Sequence, residues 1–143
     1  MNVLDILKRR DRSLVTNRPE DTVETAATLM SSHNIGALPV RDGNGRLVGV
    51  ISERDIVRAF ASKGGKVLTL RVQDLMTRDV VTCTPEDTVK RARQLMSQRH
   101  IRHLPVVDGD TLCGMISSRD VMECHLEQTE LEVNVLRDYA IAR

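Results

Sequence analysis

The stretch RPEDTVETAATLMSSHNIGALPV, residues 18–40, decides the fold because the chain repeats it. Residues 84–106 read TPEDTVKRARQLMSQRHIRHLPV, and the two stretches align without a gap. The matches include Pro-Glu-Asp-Thr-Val, Leu-Met-Ser and Leu-Pro-Val, so polar and turn-forming positions recur as well as apolar ones. Repetition of this kind predicts two copies of one structural unit.

Working outward from these stretches, each copy has the pattern of a β-α-β-β-α unit. A short β-branched piece, SLVT or DVVTC, precedes a Pro and an acidic, Thr-containing helix start. Apolar residues then recur at helical spacing and predict a helix. Two strands follow, separated by DGNG in the first copy and by DGD in the second, which are hairpin signals. A second helix is predicted to begin near the Ser of ISERD or ISSRD.

A unit this small cannot cover both faces of its own sheet, so the two copies are expected to share a core. The predicted architecture is a mixed α/β (α+β) fold, with two β-α-β-β-α repeats packed as a pseudo-two-fold pair and flanked by terminal helices. The predicted boundaries are an N-terminal helix in 1–12, a first repeat in 13–61, a connector in 62–76, a second repeat in 77–127 and a C-terminal helix in 128–143.

Composition and charge argue against several function classes. The 143 residues carry a formal net charge of +1 with both signs interspersed, which disfavours a nucleic-acid or anionic-membrane surface. No apolar run approaches the ~18 residues of a membrane span. Asp5 would interrupt the apolar core of a signal peptide. We therefore expect no targeting segment, no nucleic-acid partner and no membrane partner.

The three cysteines, Cys83, Cys113 and Cys124, are odd in number and lie in apolar or helical surroundings, so buried reduced thiols are expected. Reduced thiols indicate a cytoplasmic setting. The cysteine spacings do not supply a zinc site. No nucleophile with a base, no metal set and no Gly-rich phosphate loop is recognisable, so no catalytic residue and no catalytic activity are predicted.

The strings GVISERD and GMISSRD place an Asp three residues after a Ser, giving Ser52 with Asp55 and Ser117 with Asp120. One interpretation is a capping box, in which the Ser accepts a backbone N–H and the carboxylate complements the helix dipole. The other interpretation is a nucleotide-binding site. A carboxylate at a helix start can accept both hydroxyls of a ribose, while the Ser and Arg side chains face phosphate. The Gly of each string would permit close backbone approach.

These strings, with the duplicated Pro-x-x-Thr and Leu-Pro-Val motifs, resemble a pair of cystathionine-β-synthase-type (CBS) domains, the arrangement called a Bateman module. The resemblance covers about residues 13–127. It implies a shared fold with two pseudo-symmetric clefts between the copies. In relatives such clefts bind adenosyl ligands, namely AMP, ADP, ATP, NAD(H) or S-adenosylmethionine, as regulatory ligands rather than obligatory cofactors.

Carried over position by position, the resemblance assigns Asp55 and Asp120 to the ribose hydroxyls of the two clefts. It places Thr16 and Thr82 on the first strand of each copy, where relatives meet the adenine. The remaining polar residues implied near ribose or phosphate are Ser52, Arg54, Ser117 and Arg119. The apolar residues expected to close the base slots are Ile35, Leu38, Pro39 and Ile51 in one copy and Ile101, Leu104, Pro105 and Ile116 in the other.

The two copies differ where the first hairpin strand begins, because Gly36 and Ala37 correspond to Arg102 and His103. In the family, basic side chains at these positions reach ligand phosphates. A solvated basic edge is the alternative. If the side chains do reach a ligand, the two clefts bind phosphorylated nucleotides unequally, and the sequence leaves open which cleft is favoured.

These features favour a non-catalytic sensor that binds an adenosyl ligand and modulates a separate, unidentified partner protein. The helices after Asp55 and Asp120 carry larger apolar faces than one repeat needs. In the family such faces meet a second chain, so a homodimer is expected. The alternative is a structural dimerisation or docking module with vestigial clefts. Retention of the Ser-x-Arg-Asp string in both copies speaks against that alternative.

Overall fold

The computed structural model describes residues 1–9 and 14–142. It confirms a mixed fold in which each half carries a helix, a β-hairpin and a second helix. The elements are α1 (Val3–Lys8), α2 (Val23–His33), β1 (Ala37–Arg41), β2 (Leu47–Ser52), α3 (Glu53–Lys63), a 3₁₀ helix (Gly64–Thr69), α4 (Val72–Leu75), α5 (Val89–Arg99), β3 (His103–Asp108), β4 (Thr111–Ser117) and α6 (Ser118–Ala142). The strands form two antiparallel two-stranded sheets, β1 with β2 and β3 with β4.

The helices α2 and α5 begin and end at equivalent residues. The side chains of Thr22 and Thr88 each accept a hydrogen bond from the backbone N–H three residues further on, which caps the helix start. The helices end at Asn34 and His100, whose φ angles of 53° and 54° lie in the left-handed region. The predicted helix starts are therefore confirmed in both repeats.

The predicted first strand of each repeat is not a regular strand. It makes one parallel bridge, between Asn17 and Val40 in the first repeat and between Cys83 and Val106 in the second. The next residue of the partner strand towards its N-terminus is a proline in both repeats, as at Pro39. Proline has no N–H to donate, so the ladder stops after one step.

Each repeat is completed by a short helix from the other half of the chain. The backbone N–H of Val3 in α1 donates to Asp87 O at 2.8 Å, and that of Val72 in α4 donates to Asp21 O at 2.8 Å. The buried side chains show the same arrangement, since Val3 packs in the core of the second repeat and Val72 in the core of the first. We call α1 and α4 the exchanged helices. The helices α1 and α4 are therefore equivalent elements that join the repeats.

The glycines of the two Ser-Asp strings make room for these exchanged helices. A Cβ on Gly49 would lie 2.7 Å from Met76 Sδ and 2.9 Å from Thr77 O. A Cβ on Gly114 would lie 2.8 Å from Leu7 Cδ2. The close approach that the glycines permit in this structure is thus to other parts of the chain itself.

The segment predicted as a separate C-terminal helix is the continuation of α6, which runs for 25 residues without a break. No Gly or Pro interrupts it. Val121 and Cys124 on its first turns are buried in the second repeat. The apolar side chains of its C-terminal half are exposed, namely Leu131, Val133, Val135, Leu136, Tyr139 and Ile141.

The three cysteines are free, and two of them are buried as predicted. Burial raises the pKa of Cys83 to about 12 and raises the pKa of Cys124 in the same direction. Both thiols are therefore protonated at neutral pH. Cys113 is exposed, because alternate residues of β4 face solvent.

Candidate ligand-binding cleft

A cleft with a volume of about 360 Å³ lies between the two repeats. The first repeat supplies the start of β1, the end of β2 and the first turns of α3. The second repeat supplies the segment 77–81 and the turn that joins α5 to β3. The lining residues are Gly36, Ala37, Val50, Ser52, Glu53, Arg54, Asp55, Arg58, Thr77, Asp79, Val80, Val81, His100, Ile101, Arg102 and His103.

The cleft brings together residues that the sequence assigned to ligand binding in different copies. Arg102 and His103 of the second repeat line the same cleft as Ser52 and Asp55 of the first. The basic pair therefore lies in the cleft of the first carboxylate, Asp55. The predicted site residues that line this cleft are Ala37, Ser52, Arg54, Asp55, Arg102 and His103, together with Ile101 from the residues expected at the base slots.

Other predicted site residues lie elsewhere. The side chains of Pro39 and Pro105 are less than 2% exposed, because they occupy central strand positions, so they support the interior and are not accessible to a ligand. The same holds for four of the residues expected at the base slots, namely Leu38, Ile51, Leu104 and Ile116. Thr82 lines a separate depression near the tips of the two hairpins.

Each of the remaining predicted residues occupies the position in one repeat that corresponds to a predicted residue of the other repeat, described above. Among the described residues, Thr16, Ile35, Ser117, Arg119 and Asp120 do not line the 360 Å³ cleft. The segment 11–15 corresponds to the part of the second repeat that lines this cleft, and residues 10–13 lie outside the described part of the chain. The assignment of these residues to a second ligand site stays a prediction.

Asp55 caps the start of α3 with one of its two carboxylate oxygens, as the capping interpretation predicts. Its Oδ2 accepts hydrogen bonds from Ser52 N at 2.9 Å and Ser52 Oγ at 3.0 Å, while its own N–H donates to Ser52 Oγ at 3.3 Å. Oδ1 accepts no hydrogen bond from the described residues. Asp120 Oδ2 has the same contacts with Ser117, at 2.6 and 2.9 Å. Capping and ligand contact are therefore compatible at Asp55, because they use different oxygens.

The side chains that the sequence did not single out for the cleft include three charged ones, those of Glu53, Arg58 and Asp79. Arg58 follows Arg54 by four residues, and this spacing on α3 places both on one face of the helix, a signal that was available in the sequence. His100 ends α5 in a left-handed conformation and also lines the cleft. Glu53 and Asp79 add two carboxylates.

The described part of the chain lacks the features of two other classes of site. No helix in the described ranges is both long and apolar enough to cross a membrane. Residues 1–9 and 14–142 contain no group of three or more His, Cys, Asp or Glu side chains that could hold a metal ion.

The family model of the CBS domain matches residues 3–62 and 72–127. The chain belongs to the CBS-domain family. The tandem pair predicted from the repeated strings is therefore confirmed. Both matched segments begin at the exchanged helices, at Val3 and Val72, which the sequence pattern had placed outside the repeats.

Curated relatives include CBS proteins and larger enzymes. The CBS domain-containing protein CBSX3, mitochondrial, of Arabidopsis thaliana is 35% identical over 145 residues, which cover 96% of this chain and 70% of that protein. The inosine-5'-monophosphate dehydrogenase of Korarchaeum cryptofilum is 38% identical over 144 residues, which cover 96% of this chain but 29% of that enzyme. In that enzyme the similar region is thus only a part of the protein.

Solved CBS structures share the arrangement of this chain. A CBS-domain containing protein from Agrobacterium tumefaciens superposes with a TM-score of 0.82 at 35% identity, covering 87% of this chain and 92% of that one. The CBS domain pair of protein MJ0100, in complex with 5'-methylthioadenosine and S-adenosyl-L-methionine, has a TM-score of 0.80 at 29% identity, covering 90% and 98%. CBSX2 in complex with AMP has a TM-score of 0.75 at 27% identity, covering 90% and 98%.

Proposed function

We propose that this CBS pair is a non-catalytic sensor that binds an adenosyl ligand in the cleft of Asp55 and thereby modulates a separate partner protein. The observation that carries the proposal is that Asp55 of one repeat lines the same cleft as Arg102 and His103 of the other. Structurally similar CBS proteins support the proposal, because they have been crystallised with AMP and with S-adenosyl-L-methionine and 5'-methylthioadenosine.

The chemistry of the cleft suits the parts of an adenine nucleotide. Oδ1 of Asp55 is available to accept the ribose hydroxyls, and a hydrogen bond to a charged acceptor contributes about 1.5–3 kcal/mol. Arg102 has a planar guanidinium that can bind a phosphate through two hydrogen bonds. The partly buried apolar side chains available to the base are those of Val50, Val80, Val81 and Ile101. The volume of about 360 Å³ lies within the range of small-molecule sites.

Such a ligand would act as a regulator because it contacts both repeats. It can shift their relative arrangement only by binding one arrangement more tightly than another, which is typically a coupling of ~1–3 kcal/mol. The helix α3 carries Asp55 at its start and exposed apolar side chains, Val57 and Phe60, further along. A change in the position of α3 would therefore move these apolar side chains, and with them the interface between two chains that is proposed below.

We further propose that two chains associate through the helices α3 and α6. Val57 and Phe60 of α3 are 66% and 57% exposed, and Met122 and Leu126 of α6 are 61% and 54% exposed. The two pairs occupy equivalent faces of equivalent helices, which suits an interface with two-fold symmetry. Light scattering is expected to give about twice the 16.0 kDa of one chain. A mass of a single chain at micromolar concentration would contradict the dimer.

The proposed setting is a reducing compartment, the cytoplasm, because Cys83 and Cys124 are buried thiols without a disulfide. The proposed regulated partner is a separate protein whose identity the cleft does not reveal.

The proposal is tested by thermal unfolding in the presence of AMP, ADP, ATP, NADH and S-adenosylmethionine. At least one of these compounds is expected to stabilise the protein, by about 2.7 kcal/mol at a hundredfold excess over its dissociation constant. For a phosphorylated ligand, Arg102→Ala should reduce the stabilisation. Arg99→Ala, which removes an exposed arginine outside the cleft, should not. No response to any of the five compounds would favour the docking module with vestigial clefts.

A further inference from the structure

Glu53 places a carboxylate among the basic side chains of the cleft. It is the first residue of α3, and its Oε2 lies 3.6 Å from the position that a Cβ on Gly36 would take. His103 Nε2 lies 3.6 Å from the same position, and His103 Cε1 lies 3.4 Å from it. Because Gly36 has no side chain, a carboxylate of the first repeat and an imidazole of the second converge on one small space.

The helix start does not need an acid at this position. The backbone N–H of Glu53 donates to Gly36 O at 3.0 Å, and in the second repeat the N–H of Ser118 donates to Arg102 O at 2.7 Å. Glu53 and Ser118 are therefore equivalent residues, and only one of them is acidic. The capping carboxylate in the first repeat is Asp55, so the charge of Glu53 is available for another role.

The permanent charges that line the cleft are balanced while Glu53 is present. Arg54 and Arg58 on α3 and Arg102 before β3 supply the positive charges. The negative charges come from Glu53, Asp55 and Asp79. Removal of one carboxylate leaves an excess of positive charge in the cleft.

We propose that Glu53 determines ligand specificity by limiting the negative charge that the cleft accepts. The inference rests on the proposed function of the cleft. A phosphate chain that reaches Arg102 and His103 enters the field of the Glu53 carboxylate, and each added phosphate increases the repulsion. Glu53 therefore disfavours ATP relative to AMP, and it favours the cationic sulfonium of S-adenosylmethionine relative to both.

The test is isothermal titration calorimetry of AMP, ATP and S-adenosylmethionine with the full chain and three variants. Glu53→Gln removes the charge and keeps the shape, and Glu53→Ser installs the residue of the second repeat. Glu24→Gln is the matched control, because Glu24 is an exposed glutamate in the first turn of α2 outside the cleft. Both Glu53 variants should bind ATP about tenfold more tightly and AMP about two- to threefold more tightly, while S-adenosylmethionine binds more weakly. The control should change none of these affinities.

Two results would overturn the inference. An unchanged ratio of ATP to AMP affinity in both Glu53 variants would show that the carboxylate does not sense ligand charge. Equal weakening of all three ligands would show that Glu53 accepts a hydrogen bond from the shared adenosyl group instead. The wild-type titrations separate these failures from that of the proposed function, since the latter predicts binding of at least one adenosyl compound before any substitution is made.

Discussion

Asp55→Ala is expected to reduce strongly the stabilisation of the protein by its adenosyl ligand. The substitution removes Oδ1, the acceptor proposed for the ribose hydroxyls, and with it about 1.5–3 kcal/mol of binding free energy, roughly 10- to 150-fold in affinity. It also removes Oδ2, which accepts from Ser52 N at 2.9 Å, so the unliganded protein should lose about 0.5–2 kcal/mol of stability. Thermal unfolding with and without ligand measures both effects.

The two effects are separated by a comparable carboxylate at a helix start that lies outside the cleft. Asp74 Oδ2 accepts a hydrogen bond from Arg71 N at 2.9 Å at the start of α4. Asp74→Ala should therefore lower the melting temperature of the unliganded protein and keep the full ligand-induced shift. If Asp55→Ala also kept the full shift, its carboxylate would be a capping group only.

The exchange of Asn17 and Cys83 is expected to have the largest effects on stability. The two residues occupy equivalent bridge positions in the two repeats. Asn17 is 3% exposed, and neither Nδ2 nor Oδ1 of its side chain has a hydrogen-bond partner among the residues that the structure describes. A buried amide without partners costs about 1–3 kcal/mol. Asn17→Cys should therefore stabilise the protein by about that amount, and Cys83→Asn should destabilise it comparably.

Urea unfolding at pH 7 tests this exchange, because the pKa of Cys83 is raised to about 12 and its thiol is neutral there. The swapped double variant should be close to the wild type in stability, since the two sites lie in different repeats and their effects should add. A loss of stability in Asn17→Cys would mean that the amide has a partner, such as a buried water molecule, and would contradict the prediction.

Much of the fold could be predicted because local signals repeat. The Pro-x-Asp-Thr helix starts, the Asp-Gly turns and the apolar spacing each occur twice, so each copy supports the interpretation of the other. The N-terminal helix was predicted, but its packing against the second repeat and the helix α4 were not. The stretches of these two helices, NVLDILK at 2–8 and RVQDLMT at 71–77, share a Val and an Asp, but they are 69 positions apart, whereas the main repeat is offset by 66.

The site was predictable only within one repeat. The Ser-Asp strings and the basic pair can be recognised locally, but their meeting in one cleft depends on how the repeats pack, which no local pattern encodes. The same limit explains Gly49, whose missing side chain makes room for Met76 of the exchanged segment. It also explains why the sequence did not indicate that His100, at the end of α5, lines the cleft.

An adenosyl ligand between the repeats, with its sugar at Asp55 and its phosphate at the basic pair of the other repeat, is the central feature of the proposed sensor. A crystal structure of the protein with AMP tests this placement most directly. We predict ribose hydroxyls donating to Oδ1 of Asp55 and the phosphate within hydrogen-bonding distance of Arg102 or His103. AMP bound away from this cleft, with the Asp55 carboxylate facing bulk water, would contradict it.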